Sequence, residues 1–347
     1  MSMMKAAQFV GLRSAAVRDV PFPPHPEGDE VLIRVEAVGI CGSDGHYYLQ
    51  GRIGNQVLEY PFTFGHECCG TIEACGPGTV GLMSGDKVAI DPAVSCGACD
   101  QCRAGRPHTC RNLLFMGCPG QLPGALSQFI LMPARNCFKL SAGMSFTQGA
   151  LSEPLSIGVY AVELMGQRHV ETLGILGAGP IGLSVLLAAQ AFGLQDIYVT
   201  DKVDVRLKAA ERAGAVWIGN PDRADIVAAV LEQRRGLDAV FECCGDPEAL
   251  DQAVELLNPG GTLIIVGIPE ADRISFDIHK LRRKEICVRN VRRQNQCTRK
   301  ALDLMTAGSI DVAFMATHFF PLADIQKALE TVTAKADGVI KAVITVA

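Results

Sequence analysis

The sequence predicts an α/β protein of two domains, one rich in β-strands and one built on a parallel sheet. The chain has 347 residues, which is more than one ordinary hydrophobic core accommodates. Its first part contains short strand-like segments separated by Gly and Pro turns. From about residue 156 strands and helices alternate along the chain, which is typical of a parallel sheet covered by helices.

The N-terminal part supplies the β-rich domain. Its clearest strand-like segments are residues 30–38, 70–74 and 87–90. They are rich in Val and Ile, which suit a pleated, half-buried surface. Gly and Pro turns separate these segments.

The second part alternates apolar strands with helices. We predict strands at residues 173–176, 196–200, 215–218, 238–241 and 262–266. We predict helices at residues 180–192, 203–213, 222–234 and 247–257. This order predicts a doubly wound parallel sheet with helices on both faces.

Charge and cysteine content exclude several classes of protein. The net charge is −5 and the pI about 5.8, so the overall charge of the protein does not attract nucleic acid. The first ten residues lack the apolar region of a secretory signal, and the 14 cysteines are therefore expected to be reduced thiols in the cytoplasm. Residues 172–195 carry no charge, but their glycines and proline indicate strand, turn and helix rather than a membrane span.

A glycine-rich turn follows the first strand of the second part. It consists of Gly177, Ala178, Gly179, Pro180, Ile181 and Gly182. Glycines let the backbone approach a pyrophosphate, and the helix N-terminus that follows favours its negative charge. Asp201 ends the next strand, where a carboxylate suits the ribose hydroxyls of NAD and repels the 2′-phosphate of NADP. Arg206 is expected on the adenine side of the cofactor. The alternative interpretation of the glycine-rich turn is a tight turn in an α/β fold that binds no nucleotide.

Four cysteines lie within 15 residues in the pattern C-x2-C-x2-C-x7-C. They are Cys96, Cys99, Cys102 and Cys110. An iron–sulfur run closes with a gap of three residues and a proline, whereas here the gap is seven and Arg111 follows. A redox dithiol would need only two thiols. We predict a structural zinc site, closed by four sulfurs and without a position for substrate.

A second group of candidate ligands is scattered along the chain. Cys41, His66, and Glu67 or Glu153 would form a mixed sulfur, nitrogen and oxygen site, which is how catalytic zinc is held. The spacing alone leaves other interpretations open. Cys41 could be a buried thiol, His66 a hydrogen-bonded turn residue, and Glu153 a surface or capping acid.

The order of these motifs resembles a known family. Cys41-Gly-Ser43-Asp44, Gly65-His66-Glu67, the four-cysteine lobe and the glycine-rich turn occur in the order found in the zinc-dependent medium-chain dehydrogenase/reductase family. Within it, His46-Tyr47-Tyr48, the Gly-Arg-Ile-Gly at residues 51–54 and the Glu-Pro-Leu-Ser at 153–156 resemble the sorbitol and xylitol (polyol) dehydrogenase branch.

The resemblance implies a fold and an activity. It implies a GroES-like catalytic domain over residues 1–155, to which 292–347 return, and a Rossmann NAD-binding domain over 156–291. It implies two zinc ions per chain, with the catalytic one on Cys41 and His66 and either Glu67 or Glu153. The reaction would transfer a hydride between a polyol and NAD, giving a ketose. A homotetramer, alternatively a dimer, is expected.

The resemblance also assigns roles around the catalytic zinc. Ser43 and His46 match the proton relay, and Tyr47 and Arg292 match substrate-side positions. Where Glu67 is the third ligand, the resemblance places Glu153 close to the zinc, directly or through water. The polyol branch often has an aromatic residue after this arginine, whereas here Arg293 follows. That departure leaves room for an anionic polyol. Rival functions are a threonine-type amino-alcohol or cyclitol dehydrogenase, a non-catalytic nucleotide sensor stapled by zinc, and a nucleic-acid protein.

Overall fold

The computed structural model describes residues 2–166 and 170–346. Its strands are β1 (Met3–Gly11), β2 (Ser14–Pro21), β3 (Glu30–Gly39), β4 (Arg52–Ile53), β5 (Gln56–Val57), β6 (Phe62–Thr63), β7 (Glu67–Cys75), β8 (Lys87–Ile90), β9 (Ala93–Val94), β10 (Leu114–Phe115), β11 (Phe129–Pro133), β12 (Cys137–Lys139), β13 (Thr172–Leu176), β14 (Asp196–Thr200), β15 (Trp217–Gly219), β16 (Leu237–Glu242), β17 (Leu257–Ile265), β18 (Cys287–Asn290), β19 (Ala316–Pro321) and β20 (Lys341–Thr345). Its helices are α1 (Gly42–Gln50), α2 (Asp100–Arg103), α3 (Phe146–Met165), α4 (Pro180–Ala191), α5 (Asp204–Arg212), α6 (Ile226–Gln233), α7 (Pro247–Leu256), α8 (Ile278–Lys284), α9 (Thr298–Thr306) and α10 (Ile325–Thr333).

The chain divides into two compact units. The first consists of Met1–Glu153 and Val312–Ala347, and the second of Pro154–Asp311. The resemblance placed the return to the first unit at residue 292, and the structure places it at Val312 instead. The reason is α9, because Lys300 forms an ion pair with Glu163 of α3 and the Cys297 sulfur lies 3.5 Å from the same carboxylate. These contacts hold residues 297–306 in the second unit.

A mainly antiparallel sheet of seven strands organises the first unit. Its order is β12-β8-β7-β3-β20-β19, and β11 also pairs with β3. Seven of the ten residues of the central strand β3 are buried, among them the consecutive Val31, Leu32 and Ile33. Its last residue, Gly39, pairs with Glu67 of β7 on one side and with Val343 of β20 on the other. The end of β3 is therefore where the N-terminal and C-terminal segments meet.

A parallel sheet of six strands organises the second unit. Its order is β15-β14-β13-β16-β17-β18, so β13 lies between β14 and β16. This confirms the predicted doubly wound sheet, and the five predicted strands correspond to β13–β17. Helix α6 begins later than predicted because the Asp225 side chain accepts hydrogen bonds from Val227 N and Ala228 N and so caps the helix at Ile226.

The uncharged segment at residues 172–195 folds as strand, turn and helix, as predicted. It forms β13, the glycine-rich turn and α4. Within the part of the chain that the structure describes, every helix is too short or too polar to cross a bilayer.

Candidate metal centre and cofactor site

Three of the predicted catalytic ligands come together in the first unit. One ligand atom each from Cys41, His66 and Glu67 lies within 4.8 Å of the others. Cys41 is the N-cap of α1, and Glu67 opens β7 directly after His66. The preceding Gly65 has φ of 87°, and a Cβ there would lie 2.9 Å from Leu126 Cγ, so the turn that presents His66 requires glycine.

Glu67 is held by a lysine from the C-terminal strand. Lys341 Nζ donates to Glu67 Oε1 at 2.6 Å and to Oε2 at 2.7 Å, and also to the Ile40 carbonyl at 3.0 Å. Both side chains are buried. Burial works to lower the pKa of Lys341, but the charge of Glu67 raises it overall, so the ammonium stays charged. The pair is therefore a buried, mutually neutralised group beside the candidate ligands.

Asp44 is hydrogen-bonded to the Cys41 backbone and lies near His66. Its Oδ2 accepts a hydrogen bond from Cys41 N at 2.9 Å, as in a capping box, and its Oδ1 lies 4.0 Å from His66 Nδ1. Burial and then the charge of Glu67 raise the pKa of Cys41 to about 12. A thiol ligand must lose its proton to bind a metal, and a cation supplies the compensating charge. The sulfur, nitrogen and oxygen donors fit zinc.

Glu153 lies close to these ligands without joining them. It is a buried residue of α3, and burial raises the pKa of its carboxyl to about 8, with Glu67 and Cys41 adding to the rise and His66 opposing it. Among the described residues, the group of atoms within 4.8 Å contains Cys41, His66 and Glu67 but not Glu153. The sequence left the choice between the two acids open, and the geometry favours Glu67.

The predicted relay and substrate residues lie on α1 and in the second unit. Ser43 forms a side-chain hydrogen bond with Cys41, and His46 lies three residues further along the same helix. Tyr47 follows and is buried. Arg292 is an exposed residue of the second unit.

The four-cysteine lobe also has the geometry of a metal site. The sulfur atoms of Cys96, Cys99, Cys102 and Cys110 lie within 4.8 Å of one another. Three of the sulfur–sulfur distances are 3.4, 3.6 and 3.8 Å. A tetrahedral ion with Zn–S bonds of about 2.3 Å requires edges of about 3.8 Å, so the cluster fits zinc. Backbone N–H groups of Arg111 and Cys102 lower the pKa of Cys99 to about 6, which favours the thiolate.

The glycine-rich turn lies between the carboxyl end of β13 and the first turn of α4, where Pro180 and Ile181 are the first helical residues. Gly177 has φ of 103°, and a Cβ on Gly182 would lie 1.8 Å from the Gly177 carbonyl oxygen. Asp201 Oδ2 accepts a hydrogen bond from Ala178 N at 2.7 Å. Arg206 Nη1 lies 3.7 Å from the position of a Cβ on Gly179. The carboxylate and the guanidinium therefore lie beside the turn predicted to hold a pyrophosphate.

Two residues at the metal centre were given no role from the sequence. Lys341 was the clearer omission, because it is the one charged residue in the apolar segment 339–346 and a buried strand there requires a partner for it. Asp44 could have been found from its place at the third position of α1, where an acid completes a capping box.

Comparisons with known proteins match both units. Residues 27–142 match the model of the alcohol dehydrogenase GroES-like domain, and residues 180–307 match that of the zinc-binding dehydrogenases. A sorbitol dehydrogenase of Bacillus subtilis is 37% identical over 94% of this chain and 93% of its own length. The chain belongs to the zinc-dependent medium-chain dehydrogenase family. A probable D-xylulose reductase A of Arthroderma otae is 32% identical over 93% of this chain and 92% of its own.

Solved structures of the family extend the match to the whole fold. A putative zinc-binding dehydrogenase from Sinorhizobium meliloti, bound to NADP, has a TM-score of 0.90 and 30% identity, and each chain is covered to 100%. This chain is accordingly an oxidoreductase of the alcohol dehydrogenase type, which uses zinc and a nicotinamide dinucleotide to act on a small molecule.

Proposed function

We propose that this enzyme oxidises a polyol at a secondary hydroxyl, with NAD as the hydride acceptor, and releases a ketose and a proton. The observation that carries the proposal is the convergence of Cys41, His66 and Glu67 at one end of α1, the helix that also bears Ser43, His46 and Tyr47. The resemblance to sorbitol and xylitol dehydrogenases supports the substrate class.

Cys41, His66 and Glu67 would hold the catalytic zinc. Zinc bound there supplies a Lewis acid that lowers the pKa of a substrate hydroxyl. Lys341 fixes the Glu67 carboxylate and offsets its charge, and the buried Asp44 carboxylate lies 4.0 Å from His66 Nδ1. Glu153 is close enough to sense the charges of all three ligands, and its carboxyl would accept a hydrogen bond from a second hydroxyl of a polyol.

Ser43 and His46 would carry the hydroxyl proton away. Both are half-buried and lie one helical turn apart on α1, so their side chains share a face. The Ser43 hydroxyl, which hydrogen-bonds to Cys41, would accept this proton as it releases its own towards the His46 imidazole, and His46 would pass a proton to solvent. Tyr47 would bind the substrate beside them. Arg292 remains a prediction of the resemblance, as does an anionic substrate recognised with Arg293.

NAD rather than NADP is proposed as the cofactor. When bound, the dinucleotide supplies the hydride acceptor. Gly177, Gly179 and Gly182 would let its pyrophosphate approach the N-terminus of α4. The Asp201 carboxylate would bind the ribose hydroxyls and disfavour a 2′-phosphate. We also propose that the four-cysteine lobe binds a second zinc ion. The enzyme is further proposed to be a homotetramer in the cytoplasm.

A substrate panel run with zinc analysis tests the proposal. Sorbitol, xylitol, cyclitols and threonine are each supplied with NAD and with NADP, and NADH or NADPH formation is followed. We expect turnover of polyols with NAD and about two zinc ions per chain. Cys41→Ser is expected to lose one zinc and nearly all turnover, whereas Cys287→Ser, at a half-buried thiol outside both clusters, keeps both.

Other results would assign other functions. Turnover of threonine or a cyclitol alone would assign a different substrate class to the same zinc and cofactor residues. Nucleotide binding with about one zinc per chain and no turnover would indicate a sensor. Salt-dependent binding of nucleic acid would contradict the proposal outright.

A further inference from the structure

Three polar side chains converge on one buried thiol in the first unit. Gln56 Nε2 donates to Cys118 Sγ at 2.8 Å, and Gln121 Nε2 donates to the same sulfur at 3.1 Å. The Tyr47 hydroxyl lies 3.9 Å from that sulfur and donates to Gln56 Oε1 at 3.3 Å. Cys118 and Tyr47 are buried and the two glutamines half-buried, so the four side chains form one polar cluster.

Local structure presents each member of the cluster. Gln56 lies on the β4–β5 hairpin, where Ile53 pairs with Gln56 and Gly54 provides a turn residue with φ of 54°. Cys118 and Gln121 form a tight turn in which Gln121 N donates to the Cys118 carbonyl at 3.1 Å. The polar side chains therefore come from the β4–β5 hairpin and from the turn at residues 118–121, and both contribute to the cluster with Tyr47.

The cluster lies beside the candidate metal centre. Tyr47 follows Asp44 by three residues, so both share a face of α1, and Asp44 Oδ1 is 4.0 Å from His66 Nδ1. On the other side, a Cβ on Gly117 would lie 2.8 Å from the Gly65 carbonyl oxygen. Gly117 directly precedes Cys118, and Gly65 directly precedes His66. The turn that carries Cys118 therefore begins next to the turn that presents His66.

One acceptor in the cluster points to a ligand. Gln121 Oε1 is buried, and within residues 2–166 and 170–346 no protein donor reaches it. A buried acceptor without a donor costs about 1–3 kcal/mol, so such an atom calls for a functional explanation. A substrate hydroxyl carries the required donor, and a simple alcohol bound at the metal has no second hydroxyl to offer.

We propose that Gln56, Cys118 and Gln121 form a hydroxyl-recognition cluster that, with Tyr47, selects polyhydroxylated substrates over simple secondary alcohols. Gln121 accepts a hydrogen bond from a hydroxyl remote from the reacting carbon. Gln56 and Cys118 are positioning residues that orient the phenol of Tyr47 and the amide of Gln121. The proposal rests on the proposed polyol dehydrogenase function and names the residues that give it its specificity.

Apolar variants of the two glutamines test the proposal. Gln56→Met and Gln121→Met keep the side-chain length and remove the hydrogen bonds. We expect kcat/KM for the best polyol of the panel to fall about tenfold, mainly through KM, as loss of about 1.4 kcal/mol of hydrogen bonding implies. Activity with 2-butanol should change less than about threefold. Gln128→Met, at a half-buried glutamine bonded to Lys5 N, is the matched control and should leave both substrates unchanged.

The thiol is tested separately. Cys118→Ser retains a hydrogen-bonding centre and should keep the preference for the polyol, whereas Cys118→Val should lose it. Equal losses with polyol and 2-butanol, or an unchanged KM for the polyol, would overturn the proposal even if the wild type is a polyol dehydrogenase. A wild type that oxidises 2-butanol but no polyol would instead refute the proposed function, and this inference with it.

Discussion

Lys341 and Glu67 form a buried ion pair in which one ammonium lies 2.6 and 2.7 Å from the two carboxylate oxygens. Glu67 belongs to β7, whereas Lys341 opens β20, a strand 274 residues away in sequence. The antiparallel pairings of β3 with β7 and of β3 with β20 bring them together. The C-terminal strand therefore completes the candidate metal centre.

Lys341→Met should destabilise the zinc-free protein strongly. The substitution leaves the Glu67 carboxylate buried beside a methyl thioether, and breaking a buried pair in this way costs about 3–5 kcal/mol. Thermal unfolding of the chelated protein measures the effect. Zinc should restore part of the loss, because the metal supplies a positive charge next to Glu67. Equal unfolding temperatures for the chelated wild type and variant would show that the pair has no such role.

Cys99→Ser should remove one zinc ion and lower the unfolding temperature. Four sulfurs at tetrahedral spacing close the cysteine lobe, so a missing ligand leaves the loop without its cross-link. Zinc content by mass spectrometry and thermal unfolding give the two readouts. Cys99→Ser should keep the zinc ion that Cys41→Ser loses. The double variant Cys41→Ser/Cys99→Ser should therefore contain no zinc. An unchanged metal content in Cys99→Ser argues against zinc in the lobe.

Asp201→Asn should weaken the preference for NAD. The carboxylate accepts hydrogen bonds from Ala178 N and Val203 N at 2.7 Å each, and its charge opposes a 2′-phosphate. We expect kcat/KM with NAD to fall about tenfold and that with NADP to rise. Asp204→Asn is the control, because that acid bonds Asn220 and Arg223 instead. If the ratio of kcat/KM with NAD to kcat/KM with NADP changes equally in both variants, Asp201 does not determine the cofactor preference.

Asp238 should make the stability of the second unit depend on pH. Partial burial works to raise the pKa of this carboxyl, but hydrogen bonds from the Glu171 and Thr172 backbone and from Asn258 lower it overall. A lowered pKa stabilises the fold above the unfolded value of about 3.9, and that stability is lost as the pH falls below it. Asp238→Asn should cost about 1–3 kcal/mol at pH 7 and flatten the acid limb of the unfolding profile. A variant with an unaltered acid limb would contradict this assignment.

The second unit was largely predictable because its signals are local. The glycine-rich turn, the alternation of apolar strands with helices and Asp201 all lie within one stretch of chain. Backbone sterics require glycine at Gly177 and Gly182, whatever surrounds the turn. The return expected at residue 292 differs from the boundary between the compact units, at Val312, because the position of α9 depends on the contact of Lys300 with Glu163, far apart in sequence.

The four-cysteine lobe and the order of the motifs were also determined by the sequence alone. Closely spaced thiols can reach one ion by local turns, so their spacing already implies a cluster. The centre at Cys41 was different, because its candidate ligands come from the N-terminus of α1, the start of β7 and helix α3, and the sequence could not choose between Glu67 and Glu153. Only strand pairing decided that Glu67 lies with Cys41 and His66 and that Lys341 neutralises it. The contact of Glu67 with Lys341 depends on which strands become neighbours, and that information belongs to the folded chain as a whole.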